Sequence, residues 1–206
     1  MSVIYFDNSA TTKMSDGALG VLNEVAREHY GNPSSLHTLG FNAEKELDVA
    51  REAVIASLGA KDSEVIFTAS GSEANNLAII GRALAKEGYK SGAKVITTAG
   101  EHASVSEPIE RLRTMGFRVA EISTVGGEID LEMLEAEMTP DVILVSAMMV
   151  NNETGALYDT RKIAEIMRKN STAPATGRLC RINLSVGTRS PVPLPLACRI
   201  CRGMPL

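Results

Sequence analysis

The chain has 206 residues, of which 44% are hydrophobic and 22% are charged, a composition typical of a soluble globular protein. No run of eighteen apolar residues is present, so the sequence predicts no transmembrane helix. The first residues, Met1-Ser2-Val3-Ile4, lack the basic and apolar regions of a secretory signal. The net charge of −4 argues against a nucleic acid as partner, because phosphate binding needs clustered basic residues. We therefore expect a cytoplasmic protein that binds neither membranes nor nucleic acids.

Residues 1–60 are predicted to form a mostly helical N-terminal segment. The second of its two helices is predicted to stop before Gly59, because a glycine commonly ends a helix. In the loop between the helices, we expect His37 to be structural rather than a ligand. The predicted elements are a short strand at Val3–Phe6, a helix at Asp16–His29 and a helix at Thr38–Leu58.

Residues 61–170 alternate short β-rich runs with amphipathic helical stretches. The predicted strands are Glu64–Ala69, Lys94–Ala99, Arg118–Ser123 and Val142–Met148. The predicted helices are Ser72–Glu87, Ala103–Met115, Asp130–Met138 and Asp159–Lys169, the last with Asp159 as its N-cap. This alternation predicts an α/β fold with a mostly parallel sheet.

The character of the sequence changes near Asn170. All 25 acidic residues and all of the lysines precede that point, whereas residues 171–206 carry five arginines and no other charge. Five of the eight prolines and all three cysteines also lie in this tail. Three cysteines without a histidine do not complete a structural zinc site, so we expect free thiols and no bound metal. The prolines disfavour helix and interior strand, so we expect a disordered tail that adds no strand. The abrupt loss of Asp, Glu and Lys at one point is what a shifted reading frame would produce, so we also expect a frameshifted origin.

Polar turns follow three of the four predicted strands. Gly71 and Ser72 open a helix, where free amides and a hydroxyl suit a phosphate, although an ordinary helix cap would explain the same residues. His102 could stack on a flat ring, move a proton or simply be structural. Asn152 could bond to a ring substituent or only shape its turn. Because ligands bind beyond the carboxyl ends of parallel strands, these turns predict a binding site at one edge of the sheet.

These segments resemble the cysteine desulfurases of the NifS/IscS type, pyridoxal-phosphate enzymes of the class V aminotransferase group with the type I fold. The resemblance spans nearly all of residues 3–170 and includes Tyr5–Thr12, Gly31–Ser35, Phe67–Leu77, Glu101-His102 and Val150–Gly155. It implies that Gly71 and Ser72 hold the cofactor phosphate. His102 would stack on the pyridine ring and assist proton transfer, and Asn152 would contact the 3-oxygen of the ring.

The resemblance also implies a reaction and partners. Family members are homodimers that remove sulfur from L-cysteine, which gives alanine and a persulfide on a catalytic cysteine. The sulfur then passes to an acceptor protein such as an iron–sulfur scaffold.

Residues 171–206 depart from the family pattern. Family members continue with an aspartate that pairs with the pyridine nitrogen and a lysine that binds the cofactor covalently. A catalytic cysteine and an arginine that holds the substrate carboxylate follow, and none of the four can be placed on this tail. We therefore expect an incomplete large domain, with 61–170 as its first half, and a chain inactive in desulfuration. Two alternatives stay open: a selenocysteine lyase or other class V enzyme, and a non-catalytic fragment that pairs with a full-length protomer.

Overall fold

The structure is a computed structural model that describes residues 4–8, 10–58, 65–85, 92–170 and 180–182. The described residues divide into two compact units, one that extends to Val65 and one that begins at Ile66. None of the helices in the described ranges combines the length and apolar character that a membrane span requires.

The first unit contains two helices, α1 (Asp16–Glu28) and α2 (Thr38–Ser57). Each begins at a side-chain cap, since Ser15 Oγ accepts the Ala18 N–H at 3.2 Å and His37 Nδ1 accepts the Gly40 N–H at 3.2 Å. His37 is therefore structural, as predicted. The prediction of a strand at Val3–Phe6 is wrong for residues 4–6. Their backbone is irregular, since no described strand pairs with them. Val3 and Gly59 lie outside the described residues.

The loop between α1 and α2 folds closely onto the start of α2. A Cβ atom on Gly31 would lie 2.2 Å from the carbonyl oxygen of Leu39, and one on Gly40 would lie 2.2 Å from that of Ser35. Both distances are far below van der Waals contact with backbone atoms, so these two positions require glycine.

The second unit contains a four-stranded parallel sheet in the order β2-β1-β3-β4, which confirms the α/β prediction. The strands are β1 (Lys94–Thr98), β2 (Arg118–Ile122), β3 (Val142–Ser146) and β4 (Cys180–Ile182). The helices are α3 (Gly71–Leu84), α4 (Ala103–Thr114), α5 (Leu131–Glu137) and α6 (Thr160–Lys169), and a short 3-10 turn spans Val125–Gly127.

Two apolar clusters cover the two faces of this sheet. Val95 of β1 belongs to a cluster with residues of α3 and α4, whereas its neighbour Ile96 belongs to a second cluster with residues of α5 and α6. Successive side chains of a strand point to opposite faces, so each face is covered by one helix pair. Every residue of β1 and β3 is buried, as expected for central strands of a parallel sheet. This packing fixes the turns after β1 and β3 at the same edge.

Two predictions about strands are wrong. The segment predicted as a strand at Glu64–Ala69 is irregular over residues 65–69; Thr68 Oγ1 donates to the Ser70 carbonyl and the Ala69 N–H donates to Glu73, so local bonds to the start of α3 replace sheet pairing. The expectation of no strand after the last helix is also wrong, because β4 pairs with β3. Cys180–Ile182 precedes the proline run that begins at Pro191, so its backbone keeps the donors that a strand needs. Residues 171–179 and 183–206 lie outside the described residues.

Candidate functional site

The start of α3 leaves two backbone amides unpaired. Ser70 caps the helix by accepting the Glu73 N–H at 3.2 Å, and the Glu73 carboxylate accepts the Ala69 N–H at 2.7 Å. The N–H groups of Gly71 and Ser72 have no acceptor among the described residues, and the Ser72 side chain is exposed. Unpaired amides at a helix start, where the helix dipole is positive, form an anion-binding arrangement. The ordinary cap thus accounts for Ser70 and Glu73 and leaves Gly71 and Ser72 available.

His102 is the N-cap of α4 and is linked to α3. Its Nδ1 accepts the Ser104 N–H at 3.1 Å and lies 2.9 Å from Ser104 Oγ. Asn75 of α3, which is 2% exposed, donates from Nδ2 to the same Ser104 Oγ at 2.8 Å. The structural interpretation of His102 is therefore correct for Nδ1, while Nε2 has no partner in the described part of the chain.

Glu101 joins the turn after β1 to the end of β3. One carboxylate oxygen, Oε1, accepts the Thr98 hydroxyl at 2.8 Å and the Met148 backbone N–H at 2.9 Å. Burial raises the pKa of the Glu101 carboxyl above its ordinary value of 4.5, and these two hydrogen bonds and the neighbouring His102 only partly oppose the shift. A half-buried carboxylate thus fixes the backbone that carries His102.

Asn151 makes the second link between these turns. Its Nδ2 donates to the Gly100 carbonyl at 3.0 Å, and its Oδ1 accepts the N–H groups of Glu153 and Thr154 at 2.9 and 2.8 Å. Asn151 is buried, whereas the adjacent Asn152 is half-buried and its side chain makes no hydrogen bond within the described residues. The turn-forming role that was one interpretation of Asn152 belongs to Asn151, so the Asn152 amide is available.

The three predicted turns are therefore held together by side chains that the sequence analysis did not single out. Asn75 and Ser104 join the helix that begins at Gly71 to His102, while Glu101 and Asn151 join the His102 turn to the Asn152 turn. Two of the four carried a usable signal. Asn75 is a polar residue on the buried face of α3, and Asn151 precedes a glycine turn at the spacing of an Asx turn.

A cleft beside these turns does not include the predicted site residues. It has a volume of about 260 Å³ and is lined by the end of β1, by Glu101, by α4 and by Glu121 of β2, and none of Gly71, Ser72, His102 and Asn152 lines it. Over the ranges that the structure covers, no three His, Cys, Asp or Glu side chains are grouped to hold a metal ion. Cys198 and Cys201 are outside those ranges.

The profile of the Aminotransferase class-V family matches residues 4–175. The chain belongs to the class-V aminotransferase family. It is 43% identical over 166 residues to a NifS/IcsS protein homolog of Lactobacillus delbrueckii subsp. bulgaricus, which covers 80% of this chain and 43% of that protein. It is 40% identical over 170 residues to the cysteine desulfurase of Trichormus azollae, which covers 82% of this chain and 42% of that protein.

Solved structures of similar proteins have the same fold. A NifS-like protein superimposes with a TM-score of 0.79 at 33% identity, over 88% of this chain and 48% of the other. The structure described as SspA in complex with cysteine superimposes with a TM-score of 0.72 at 28% identity, over 87% of this chain and 49% of the other. The chain thus spans less than half the length of these relatives.

The class-V family depends on pyridoxal phosphate, and the described residues fit the phosphate and ring of that group better than its aldehyde. Two unpaired amides suit the phosphate, and an exposed imidazole and a free amide suit the ring. In the second unit, each described lysine faces a carboxylate: Lys94 and Glu137 are 2.5 Å apart, Lys169 and Glu135 2.6 Å, and Lys162 and Asp159 3.7 Å. The bond to Glu135 also raises the pKa of Lys169. Each of these three amines is thus paired with a carboxylate.

Proposed function

We propose that this chain carries the phosphate-binding and ring-contacting half of the pyridoxal-phosphate site of a cysteine desulfurase. The observation that supports this most strongly is the pair of unpaired amides at Gly71 and Ser72, on a helix that hydrogen bonds connect to His102. In this proposal Gly71 and Ser72 hold the phosphate, His102 stacks on the pyridine ring and Asn152 contacts the 3-oxygen.

Each of these residues has a separate task. The amides of Gly71 and Ser72 neutralise phosphate charge at the positive end of α3. His102 keeps Nδ1 engaged with α4 and holds a proton on Nε2, while the Asn152 amide supplies a donor or acceptor to the ring oxygen. When bound, pyridoxal phosphate supplies an electron sink for the substrate.

For the full-length protein, we propose sulfur removal from L-cysteine by a cytoplasmic homodimer. The products are alanine and a cysteine persulfide, and the sulfur passes to an acceptor such as an iron–sulfur scaffold protein. The names of the relatives support the substrate, and so does the neighbour described as a complex with cysteine. The 206 residues alone should bind the cofactor without catalysing the reaction, because their matched part lacks the family's covalent lysine.

The origin of residues 171–206 belongs to the same proposal. We infer a tail read in a shifted frame, because acidic residues and lysines stop together at this point. The nucleotide sequence after the codon for Ser171 tests this directly. One alternative frame should encode an aspartate-bearing strand and a Ser-x-His-Lys stretch, and their absence from both frames would refute the frameshift.

A second candidate function, a non-catalytic partner of a full-length protomer, is supported by apolar side chains exposed on α1. None of the residues of α1 is buried, and Leu19, Val21 and Leu22 are exposed. Co-purification of this chain with the full-length enzyme, followed by size-exclusion chromatography, tests it. A stoichiometric complex is expected, and separate elution of the two chains would exclude this role.

Phosphate recognition is tested by comparing pyridoxine 5′-phosphate with pyridoxine, neither of which has an aldehyde that reacts with lysines. Two charge-assisted bonds should make the phosphate form bind at least about tenfold more tightly. Gly71→Pro removes one unpaired amide and suits the first helical position, and the extended Ser70 backbone (φ −158°, ψ 163°) tolerates a following proline. This variant should bind the phosphate form about fivefold more weakly.

Gly71→Ala, which keeps the amide, is the matched control and should bind as the original chain does. Isothermal titration calorimetry measures all of these affinities. Equal binding of the two ligands, or equal binding by the proline and alanine variants, would contradict phosphate recognition at this helix start.

A further inference from the structure

The His102 ring makes its hydrogen bonds through one nitrogen. Nδ1 lies 3.1 Å from the backbone nitrogen of Ser104 and 2.9 Å from the Ser104 hydroxyl. A backbone N–H can only donate, so Nδ1 accepts and is unprotonated. In the neutral ring the proton is therefore on Nε2.

The Ser104 hydroxyl is itself oriented by Asn75. The amide of Asn75 donates to Ser104 Oγ at 2.8 Å, which occupies a lone pair of that oxygen and leaves the hydroxyl proton free to point at His102 Nδ1. The donors are thus aligned in one direction from Asn75 through Ser104 to His102. Asn75 is buried at 2% exposure, so turning its amide away would leave a buried polar group unsatisfied.

We propose that Asn75 and Ser104 are positioning residues that hold the His102 imidazole in the Nε2–H form and tie it to the helix that begins at Gly71. This deepens the proposed function, because the same helix start is assigned to the cofactor phosphate. Phosphate binding and the orientation of His102 are then linked by the hydrogen bond between Asn75 and Ser104, which lie 29 residues apart in sequence.

His37 provides a comparison within the same molecule. It also caps a helix through Nδ1, which accepts the Gly40 N–H at 3.2 Å, and no side-chain hydroxyl is bonded to its ring in the described residues. Both rings should carry their proton on Nε2 when neutral, but only the His102 ring should respond to a change at Ser104.

The test is the tautomer of His102, measured by long-range ¹H–¹⁵N NMR on the full 206-residue chain labelled with ¹⁵N-histidine. The chain has three histidines, and loss of signals in His102→Gln assigns the ring. At a pH where the rings are neutral, Nδ1 of His102 should have the shift of an unprotonated nitrogen. In Ser104→Ala the ratio of the Nδ1–H form to the Nε2–H form should rise about fivefold, as expected for loss of one hydrogen bond.

Asn75→Ala should raise the same tautomer ratio by a smaller factor. Ser104→Thr keeps the hydroxyl and should therefore have the ratio of the original chain. Ser106→Ala and Asn76→Ala change exposed neighbours on the same two helices and should leave the ratio unchanged. If Ser104→Ala fails to fold, Asn75→Ala decides the outcome.

A purely structural role for Ser104 would lower thermal stability without moving the tautomer ratio, and that result would overturn the proposal. A wild-type His102 protonated on Nδ1 would also overturn it. No cofactor is added, so the outcome does not depend on whether the chain binds pyridoxal phosphate, and failure here is distinguishable from failure of the proposed function.

Discussion

Glu101 offers a sharp test of how the two strand-end turns are joined, because its hydrogen bonds and its charge can be removed separately. Glu101→Ala deletes the acceptor of the Thr98 hydroxyl and of the Met148 N–H. Met148 is buried, so its amide would be left without a partner. One lost bond and one unsatisfied buried amide together predict a loss of about 2 to 4 kcal/mol in the free energy of unfolding.

Glu101→Gln keeps an oxygen acceptor of the same shape and removes only the charge. Since burial raises the folded-state pKa of Glu101 above 4.5, the folded chain binds more protons than the unfolded chain between the two values. Stability contributed by this group therefore falls as the pH rises through that window. The glutamine variant does not titrate, so its stability relative to the original chain should increase from pH 4.5 upward and level off above the raised pKa.

Urea unfolding followed by circular dichroism between pH 4 and pH 8 measures both effects. Glu107→Gln, on the exposed surface of α4, makes the same change of carboxylate to amide at a site that joins no turns and is the matched control. The reasoning is refuted if Glu101→Gln loses as much stability as Glu101→Ala, or if the difference between Glu101→Gln and the original chain is the same at every pH.

Three further predictions concern the stability of the second unit, measured by the same unfolding experiment. Asn151→Ala should cost about 2 to 3 kcal/mol, because two turn amides lose their acceptor, whereas Asn152→Ala should cost less than about 0.5 kcal/mol; the reverse order would contradict the assignment of the turn to Asn151. Leu112→Ala should cost about 2 to 5 kcal/mol, since Leu112 is fully buried, and a cost no larger than that of Leu77→Ala, on the exposed side of α3, would be incompatible with the packing. Ser70→Ala should cost about 1 kcal/mol and Ser70→Gly only a few tenths, so equal losses would argue against the cap.

The elements that local patterns define were predicted well. The predicted strand Lys94–Ala99 is Lys94–Thr98, and the predicted helix Ala103–Met115 is Ala103–Thr114. The strand is a short run rich in β-branched residues. The helix has Val105, Ile109 and Leu112 at helical spacing and begins at a side-chain cap. The strand at Glu64–Ala69 failed because strand formation depends on a partner, which composition does not reveal. β4 was missed for the converse reason, since an adjacent strand pairs with a short segment of unremarkable sequence.

The features of the site likewise divide into those that the local sequence reveals and those that depend on the folded chain. His102 and the Gly71-Ser72 turn were visible as polar groups at element boundaries. The bonds that connect them join residues 29, 47 and 51 positions apart, so they depend on which turns meet in the folded chain. Both Asn151 and Asn152 precede the glycine turn in sequence, and the structure shows that Asn151 forms it.

The central claim is that this chain carries part of a pyridoxal-phosphate site without the lysine that completes it. The most direct measurement is incubation of the purified chain with pyridoxal phosphate, borohydride reduction and mass-spectrometric mapping of modified lysines, with alanine release from L-cysteine followed in parallel. We expect weak labelling spread over several lysines and no alanine beyond that produced by free pyridoxal phosphate. Stoichiometric labelling of one lysine, or turnover above the free cofactor, would contradict the claim.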